Sequence, residues 1–499
     1  MKSSRLSVKL LCAFVSLILI LGVSPVTANA AVSSVANGMT LSAKAVLNGE
    51  IDTLAFSDSV DVDGLTKYLK EQLTSFSTYI SLSSYRIPKN TANVNALASL
   101  IFTQMPTVFH VSTFSYGPSY SSTIGYILPE YHYDADTYKA MMAEVDERAE
   151  EMVGDLKDND ALSDVQKTLL VHDRLANFCE YTLIEDTNAP EFLTTHSIYG
   201  AMVTGDAVCQ GYAAAYTYML DKLDIPSYIC VSTALNHAWN IVYVNGNYYH
   251  VDVTFDDPLW GVTEWNVAGN VIHDYFLVST EYMMANGHNA TDYDTTPTDT
   301  SYDSYFWQNS NTAFQLVGDT VYYIDNSTGA LNSYDGNCFV TIPDKWTASA
   351  SSYWSGNLSC LATDGEVLFY STPDAIYAYS PEKGRAYKAY EPDLSMGDYF
   401  HVYGMKYENG SFILDINNTP NFTNDLMQRV KAEYTFTVPV IEGDIDDDGN
   451  LSANDYILIK MYCNVQTEFS EDMAKKADVN CDGVITTADY IVIRMLLKQ

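Results

Sequence analysis

The sequence predicts a multidomain protein in which an α+β core is followed by an all-β repeat region and a small α-helical, EF-hand-like domain. Three observations support this order. A predicted helix and a predicted hairpin bring Cys209, His237 and Asp252 into one segment. Units of a turn and a strand then recur at intervals of 47 and 45 residues. Finally, two acidic loops, which begin at Asp444 and Asp478, each lead into an apolar helix.

The start of the chain, residues 1–30, predicts a secretory signal peptide. Basic residues precede an apolar run, Leu10–Val23, and small residues follow at Ala28–Ala30. This order of basic, apolar and small residues is typical of a cleaved export signal. The run is short for a bilayer span and no later stretch is long enough, so we expect a secreted, extracellular protein without a membrane span.

Net charge and cysteine count narrow the class of protein further. The chain has 63 acidic and 26 basic residues, for a net charge of −37. Nucleic acid and anionic lipid would repel such a chain, so neither is an expected partner. Of its 8 cysteines, Cys12 falls in the signal segment. The odd number that remains is thinly spread, which argues against a disulfide framework.

Residues 31–160 predict an N-terminal α/β region without recognisable chemistry. Apolar spacing indicates helices and strands at Leu65–Phe76, Asn93–Gln104, Phe109–Tyr116, Thr123–Tyr133 and Thr137–Val153. The next helix begins at a capping box, Ser163 with Gln166, and continues to Phe178. Because His172 lies on an apolar stripe of that helix, we expect it to be a buried, hydrogen-bonded histidine rather than a catalytic one.

Cys209 lies at the start of a predicted helix in the segment 161–291, where thiol chemistry is favoured. Gly205–Val208 predicts a turn, and positions 209, 213, 216, 220 and 223 then share one helix face. Cys209 therefore points into the protein. The unpaired amides and the positive end of a helix favour a thiolate over a thiol.

A predicted hairpin after this helix carries the other two residues. Asn-Gly at positions 245–246 separates two apolar, aromatic-rich runs, which predicts a two-residue turn. With that turn, Trp239 opposes Asp252 and His237 opposes Thr254. His237 and Asp252 then lie on one face of the hairpin, about 7–8 Å apart at the backbone. A register slip of one residue would put them on opposite faces.

Together, Cys209, His237 and Asp252 suit acyl transfer. Cys209 would attack a carboxamide or peptide carbonyl, His237 would move the proton, and Asp252 would orient the imidazole. The Cys209 amide can donate to the oxyanion, and the second donor is left open between Tyr199 and His196. Two alternatives stay open: a non-catalytic structural or adhesive protein, and a glycoside hydrolase, which would need paired carboxylates in a cleft.

Three sequence blocks, Gly205–Ala213, Asn236–Asn240 and Tyr249–Pro258, resemble the transglutaminase-like family. The resemblance covers roughly residues 164–288. It implies a papain-like α+β core, with Cys209 as nucleophile, His237 as base and Asp252 as the residue that orients the base, and it implies no cofactor in this domain. The family includes protein cross-linkers, peptidases and inactive domains, so the reaction stays open.

The region 305–438 predicts an all-β repeat. Its turn-and-strand units begin at Gly318, Gly365 and Gly410, and their spacing is that of four-stranded propeller blades. Three copies do not close an ordinary propeller, so we predict only an all-β repeat region. We expect its tyrosines to serve in core and cross-strand packing rather than in binding a sugar or peptide.

Two acidic loops near the end of the chain have the spacing of calcium sites. Side-chain oxygens recur at loop positions 1, 3, 5, 9 and 12, and glycine at position 6 allows the sharp turn. Position 12 is Asp rather than the Glu that is usual in EF-hands. The predicted ligands of two Ca²⁺ ions are Asp444, Asp446, Asp448, Ser452 and Asp455 in the first loop, and Asp478, Asn480, Asp482, Thr486 and Asp489 in the second.

Over residues 443–499, the order loop, helix, short linker, loop, helix resembles a type I dockerin. The resemblance implies a cohesin partner on a scaffoldin, in a cellulosome-type complex that degrades polysaccharide. The contacts would come from Ala453, Asn454 and Lys460 in one copy, and from Thr487, Ala488 and Arg494 in the other. The combined prediction is a secreted acyl transferase or peptide/amide hydrolase that acts on protein or peptide and docks on such a complex. The alternative is a non-catalytic component of the complex.

Overall fold

The computed structural model describes residues 34–35, 38–47, 56, 60–118, 122–257, 259–260, 265–341, 360–372, 375–391, 401–417, 428–434, 443–480 and 483–498. The predicted signal peptide lies outside the described residues, as does Asp482 of the second acidic loop. Within the ranges just given, no helix combines the length and the hydropathy that a membrane crossing requires.

The N-terminal region is a five-stranded antiparallel sheet backed by helices. The strands are β1 (Ser34–Val35), β2 (Gly38–Ser42), β3 (Ile80–Ser81), β4 (Val111–Pro118) and β5 (Ile124–Tyr131), in the spatial order β1-β2-β4-β5-β3. The helices are α1 (Ala43–Leu47), α2 (Val62–Thr74) and α3 (Thr91–Phe102), with a 3₁₀ turn at Pro106–Val108. Leu65, Leu69 and Leu73 lie one turn apart on α2 and are fully buried, so this face holds the helix on the sheet.

The central region packs helices against a four-stranded antiparallel sheet, which is an α+β arrangement. Its helices are α4 (Ala135–Lys157), α5 (Asp164–Phe178), α6 (Glu191–Thr195), α7 (Cys209–Lys222), α8 (Val253–Asp256) and α9 (Thr280–Ala285), with a π-helical turn at Gly200–Thr204. The predicted capping box of Ser163 and Gln166 begins α5.

The strands of this region form one main sheet and two small pairs. They are β6 (Glu180–Tyr181), β7 (Asp206–Ala207), β8 (Ser227–Ser232), β9 (His237–Val244), β10 (Asn247–Val251), β11 (Leu259–Trp260), β12 (Trp265–Asn266) and β13 (Phe276–Val278). The main sheet has the order β13-β10-β9-β8, while β6 pairs with β7 and β11 pairs with β12. Helix α7 lies on β9 and β8 and buries most of its residues there, so the sheet fixes where Cys209 stands.

The repeat region consists of antiparallel sheets, two of four strands and one of three among the described residues. The strands are β14 (Gln315–Val317), β15 (Thr320–Asp325), β16 (Ala330–Ser333), β17 (Cys338–Thr341), β18 (Leu361–Thr363), β19 (Leu368–Ser371), β20 (Ile376–Ser380), β21 (Arg385–Tyr390), β22 (His401–Glu408), β23 (Ser411–Asn417) and β24 (Gln428–Glu433). Each sheet runs in chain order. The predicted turns at Gly318, Gly365 and Gly410 all have positive φ, which is the conformation that favours glycine.

The C-terminal region has three helices, α10 (Ala453–Cys463), α11 (Glu471–Ala477) and α12 (Thr487–Leu496). The sequence predicted only a short linker between the two units of loop and helix. That prediction was wrong, because helix α11 occupies this segment. Ser470 caps α11 by accepting a hydrogen bond from the Met473 amide, and acidic residues fill its first turn and lysines its last. Such a short helix has too few apolar positions for periodicity to reveal it.

A buried ionic network lies in the central core. Asp173 accepts hydrogen bonds from His172 Nδ1 at 2.7 Å, from His273 Nε2 at 3.0 Å and from the Phe314 amide just before β14. His172 Nε2 lies 3.2 Å from Asp256 Oδ2. Burial opposes a charge on His172, but the two carboxylates raise its pKa to about 9. The expectation that His172 is buried and hydrogen-bonded is confirmed, and the network ties α5 to α8 and to the first repeat sheet.

Removing the charge of Asp173 should destabilise this core. We expect Asp173→Asn to lower the free energy of unfolding by about 3–5 kcal/mol, because the buried, charged His172 ring then loses one of the two acidic side chains that stabilise it. Urea unfolding followed by tryptophan fluorescence measures this loss. Asp155→Asn is the matched control: Asp155 of α4 pairs at the surface with Arg174, the neighbour of Asp173 on α5, and its loss should cost less than about 1 kcal/mol. Equal losses in the two variants would contradict a special role for the buried network.

Candidate active site and calcium loops

Cys209 is the first residue of α7 and is half-buried. As the first helical residue, it has an N–H without a partner inside the helix. Gly211 holds the helix start close to its neighbours, since a Cβ there would lie 2.6 Å from the Thr195 carbonyl oxygen. The turn predicted at Gly205–Val208 is present only at Gly205, which has a φ of +77°. Asp206–Ala207 instead pair as β7, because the chain crosses beside β6 at this point.

The hairpin has the predicted register. Asn245 and Gly246 both have positive φ, at 51° and 82°, as a type I′ turn requires. Val244 therefore opposes Asn247, and the pairing continues to the end of β10. The expectation that His237 opposes Thr254 was wrong, because β10 ends at Val251 and Thr254 belongs to α8. Asp252 still reaches His237, because it is the residue at which the chain turns from strand to helix.

Asp252 is fully buried and each of its oxygens is bonded. Oδ2 accepts a hydrogen bond from His237 Nε2 at 2.6 Å, and Oδ1 accepts one from the Phe255 amide at 3.2 Å as the N-cap of α8. Burial would favour the neutral acid, but the charge and the N–H of His237 hold the pKa of Asp252 well below its usual range. Asp252 is therefore a carboxylate, and His237 Nε2 carries a proton.

His237 links Asp252 to Cys209. With Nε2 bonded to Asp252, Nδ1 is the ring nitrogen left to face Cys209, which is among the groups that raise the pKa of His237. Burial opposes protonation, yet Asp252 and Cys209 together raise the pKa of His237 to about 10. The Trp239 ring stacks beside the imidazole at 5.4 Å between centroids and limits its rotation. At neutral pH the site therefore holds an imidazolium between two groups that stabilise its charge.

Neither residue suggested as a second oxyanion donor is free to act. His196 Nδ1 lies 2.6 Å from the Phe192 carbonyl oxygen and must donate to it. Burial lowers the pKa of His196 to about 4, so the ring is neutral and Nε2 carries no proton to give. The Tyr199 hydroxyl already donates to Glu144 at 2.8 Å. The Cys209 amide is the donor that remains from the sequence prediction.

His288 belongs to the site and was missed by the sequence analysis. Its Nε2 lies 2.7 Å from Asp252 Oδ2, the same oxygen that His237 contacts. No local pattern points to it, since it stands alone between Gly287 and Asn289, 36 residues beyond Asp252. Although the two imidazoles and the carboxylate could together bind a metal ion, their spacing is that of N–H···O hydrogen bonds.

The first acidic loop has the donors of a calcium site. Oxygens of Asp444, Asp446, Asp448 and Asp455 all lie within 4.8 Å of one another, and carboxylate oxygens at this spacing fit a hard cation. Burial and the neighbouring carboxylates raise the pKa of Asp446. A bound cation would relieve this repulsion. Gly449 at loop position 6 has a φ of +72°, which meets the requirement for a sharp turn.

The second loop repeats the hydrogen bonds of the first. The Gly483 amide donates to Asp478 Oδ2 at 2.8 Å, as the Gly449 amide does to Asp444 Oδ2 at 2.7 Å. Ser452 and Thr486 each cap the following helix in a box with the Asp at position 12. Of the ligands predicted in the second loop, the structure describes Asp478, Asn480, Thr486 and Asp489.

Helices α10 and α12 pack as equivalent partners. The Tyr456 and Tyr490 rings, which occupy the same position in the two copies, stack at 4.6 Å between centroids, and their hydroxyls bond to each other. Contact between equivalent residues indicates an approximate twofold relation. The predicted partner contacts are all exposed at the start or on the outer side of these helices, at Ala453, Asn454, Lys460, Thr487, Ala488 and Arg494.

Three solved structures are similar to part of the chain. One, titled as the crystal structure of a TGase, is 15% identical with a TM-score of 0.20, and the match covers 27% of this chain and 42% of that one. A structure from Cytophaga hutchinsonii, whose title proposes a cysteine protease, is 17% identical with a TM-score of 0.17 and coverages of 29% and 50%. A structure from Parabacteroides distasonis, whose title proposes a protease, is 16% identical with a TM-score of 0.16, and the match covers 27% of this chain and 29% of that one. The chain thus spans half or less of each of these proteins. No curated protein matches the chain.

Two family models match separate segments. The model described as the transglutaminase-like superfamily matches residues 148–253, which contain Cys209, His237 and Asp252. The model described as the dockerin type I domain matches residues 442–497, which contain both acidic loops. A type I dockerin implies calcium as ligand, a cohesin as partner and an extracellular, cellulosome-type complex. The chain therefore carries a domain of the transglutaminase-like superfamily and, C-terminal to it, a type I dockerin domain.

Proposed function

We propose that the protein is a secreted cysteine-dependent enzyme that transfers or hydrolyses acyl groups from peptide or glutaminyl carboxamide bonds. The observation that carries this proposal is the 2.6 Å hydrogen bond from His237 Nε2 to the buried Asp252 carboxylate, with Cys209 at a helix start among the groups that raise the pKa of His237. Asp252 is ionised and His237 is protonated, as this chemistry needs. A domain that only binds a partner would not need a buried carboxylate to hold an imidazolium beside a cysteine at a helix start.

The geometry supports a thioester mechanism in two halves. The Cys209 thiolate attacks the carbonyl carbon, and the Cys209 amide donates to the oxyanion that forms. The C–N bond then breaks as His237 passes its Nδ1 proton to the leaving amine, which leaves a thioester on Cys209 and a neutral imidazole. His237 next takes a proton from water or from a primary amine as that nucleophile attacks the thioester. The thiolate departs, and Asp252 keeps Nε2 protonated throughout.

The dockerin domain, in the same proposal, places this enzyme on a scaffold. Two calcium ions, bound by the predicted ligands of the two acidic loops, would hold the loops against α10 and α12 and fix the exposed residues that meet a cohesin. The support is the convergence of four carboxylates in the first loop and the matching hydrogen bonds in the second. The enzyme would thus act beside proteins that degrade polysaccharide.

Cys209 should react as a thiolate. We expect iodoacetamide to alkylate it well below about pH 8.5, the range of a free thiol, because the His237 charge stabilises the thiolate. In His237→Ala, the alkylation rate near pH 6 should fall roughly tenfold or more. Peptide mapping by mass spectrometry identifies the modified cysteine. Cys179 and Cys230 serve as internal controls, because burial raises the pKa of both thiols and they should stay unmodified in the folded protein. Equal labelling of Cys209 in both proteins would refute the catalytic pair.

Turnover should fall as the pH rises through about 10. The pKa of His237 is raised to about 10, so the imidazolium that protonates the leaving amine is present below this pH and lost above it. Release of ammonia from a glutamine-containing peptide measures hydrolysis, and incorporation of a fluorescent primary amine measures transfer. An alkaline limb near about 6.5, the ordinary value for histidine, would contradict the stabilisation by Asp252.

Calcium binding should follow the two loops. We expect a stoichiometry of about two per chain by calorimetry, and about one in either Asp444→Ala or Asp478→Ala, because each loses a ligand at loop position 1. Asp447→Asn is the control within the first loop. Asp447 bonds to the side chains of Lys383 and Lys476 and is not one of the predicted ligands, so this variant should keep both ions. Loss of calcium from Asp447→Asn alone would place the site elsewhere.

A further inference from the structure

We propose that His288 is a positioning residue of the active site, and that it holds the Asp252 carboxylate in the orientation that His237 requires. This inference rests on the proposed function, because its consequence is felt at Cys209. His288 lies beyond residue 253, where the match to the transglutaminase-like family ends.

The hydrogen bonds of Asp252 show what His288 contributes. Oδ2 receives two short bonds, from His237 Nε2 at 2.6 Å and from His288 Nε2 at 2.7 Å, while Oδ1 receives a longer bond from the Phe255 amide at 3.2 Å. If His288 were absent, the bond to Phe255 would be the main restraint on rotation of the carboxyl group apart from His237 itself. His237 would then be oriented by a carboxylate that, apart from His237, is held mainly by the longer bond to the Phe255 amide.

The proton of His288 is on Nε2. Asp252 is a carboxylate and can only accept, so His288 Nε2 must be the donor. Its Nδ1 is buried and has no hydrogen-bond partner among the described residues, which fits a bare nitrogen better than an unpaired N–H. Burial, with the charge on His237, lowers the pKa of His288 although Asp252 opposes the shift. His288 is thus a neutral donor beside a charged His237, and the two rings do not compete for one proton.

The surroundings of His288 keep its ring in place. The rings of Phe255, Trp239 and Tyr275 pack against it with centroid distances of 4.7, 5.0 and 5.1 Å. Its backbone N–H donates to Met283 at the end of α9, and its carbonyl accepts from the Tyr293 hydroxyl at 2.8 Å. The titratable groups that face it from the neighbouring elements are Asp252, His237, His250, Tyr275 and Tyr293.

The test is the pH profile of Cys209 alkylation by iodoacetamide in the full-length protein. In His288→Phe, which keeps the ring but removes the donor, we expect the acid limb to move up by about one pH unit, or roughly tenfold in rate on that limb. The reason is that a loosened Asp252 holds the His237 imidazolium less firmly beside the thiolate. In His288→Gln the side-chain amide reaches the position of Nε2, and the wild-type profile should return.

His110→Phe is the matched control. His110 is a fully buried histidine of the N-terminal region whose Nε2 lies 3.1 Å from the Leu73 carbonyl oxygen, and its Nδ1, like that of His288, has no hydrogen-bond partner among the described residues. Its replacement should leave the acid limb where it is in the wild type. An unchanged limb in His288→Phe, or an equal shift in both variants, would overturn the positioning role, since the first shows no effect and the second only general disruption.

Two further comparisons keep the test decisive. If His288→Phe does not fold, His288→Asn replaces it, because the Asn amide is too short to reach Asp252 Oδ2. The acid limb of His288→Asn should then shift, while that of His288→Gln should not. Equal acid limbs in these two variants would overturn the inference. Wild-type Cys209 that fails to react below the range of a free thiol would refute the proposed function. If wild-type Cys209 does react below that range but the His288 variants leave the acid limb unchanged, only this inference is refuted.

Discussion

The Asp252 carboxylate carries its charge without access to water, and the active site is arranged around the groups that compensate it. Removing a carboxylate from water costs several kcal/mol unless donors surround it. Asp252 has a charged imidazolium, a neutral imidazole and a backbone amide. Under the proposed function, the first moves protons and the others support it. The end of β10 at Val251 makes this possible, because the chain turns there and presents the carboxylate to both rings.

The short helix α8 joins Asp252 to a second buried acidic side chain, Asp256, whose pKa is raised by burial to about 7. Asp252 caps its start, and Asp256, its last residue, lies against His172 and accepts hydrogen bonds from the Tyr275 amide at 3.0 and 3.1 Å. Through His172 and Asp173 the second network reaches the first repeat sheet. Helix α8 is therefore held at both of its ends, and this fixes the orientation of Asp252. The first repeat sheet and the site share a core, so this sheet supports the position of the helix that carries Asp252.

The acidic loops of the dockerin domain satisfy their charges differently. Their carboxylates converge on one another rather than on histidine donors, and mutual repulsion raises the pKa of Asp446. A divalent cation would neutralise these converging carboxylates. This explains why a chain with a net charge of −37 keeps so many carboxylates in a small domain. The two chemistries are separate: histidines hold the charges of the catalytic core, and calcium would hold those of the docking domain.

Local signals carried much of the site and of the fold. The Asn-Gly turn determined the register that brings Asp252 to the face of His237, Ser163 and Gln166 marked a helix start, and glycine with alternating oxygens marked the loops. Each is a preference of a few consecutive residues, set by backbone dihedrals or by ligand spacing. These preferences hold before the chain packs, so they can be read from sequence.

Contacts between distant segments were decided only by the tertiary structure. His288 meets Asp252 because α9 packs beside β10, and no pattern around position 288 encodes that contact. Tyr199 was a candidate oxyanion donor, but its hydroxyl packs against α4 and donates there to Glu144. The sequence by itself determined which chemistry the chain can carry and where its turns and caps lie. The packing of its elements determined which side chains share a hydrogen bond, because that depends on distances between segments that no local preference controls.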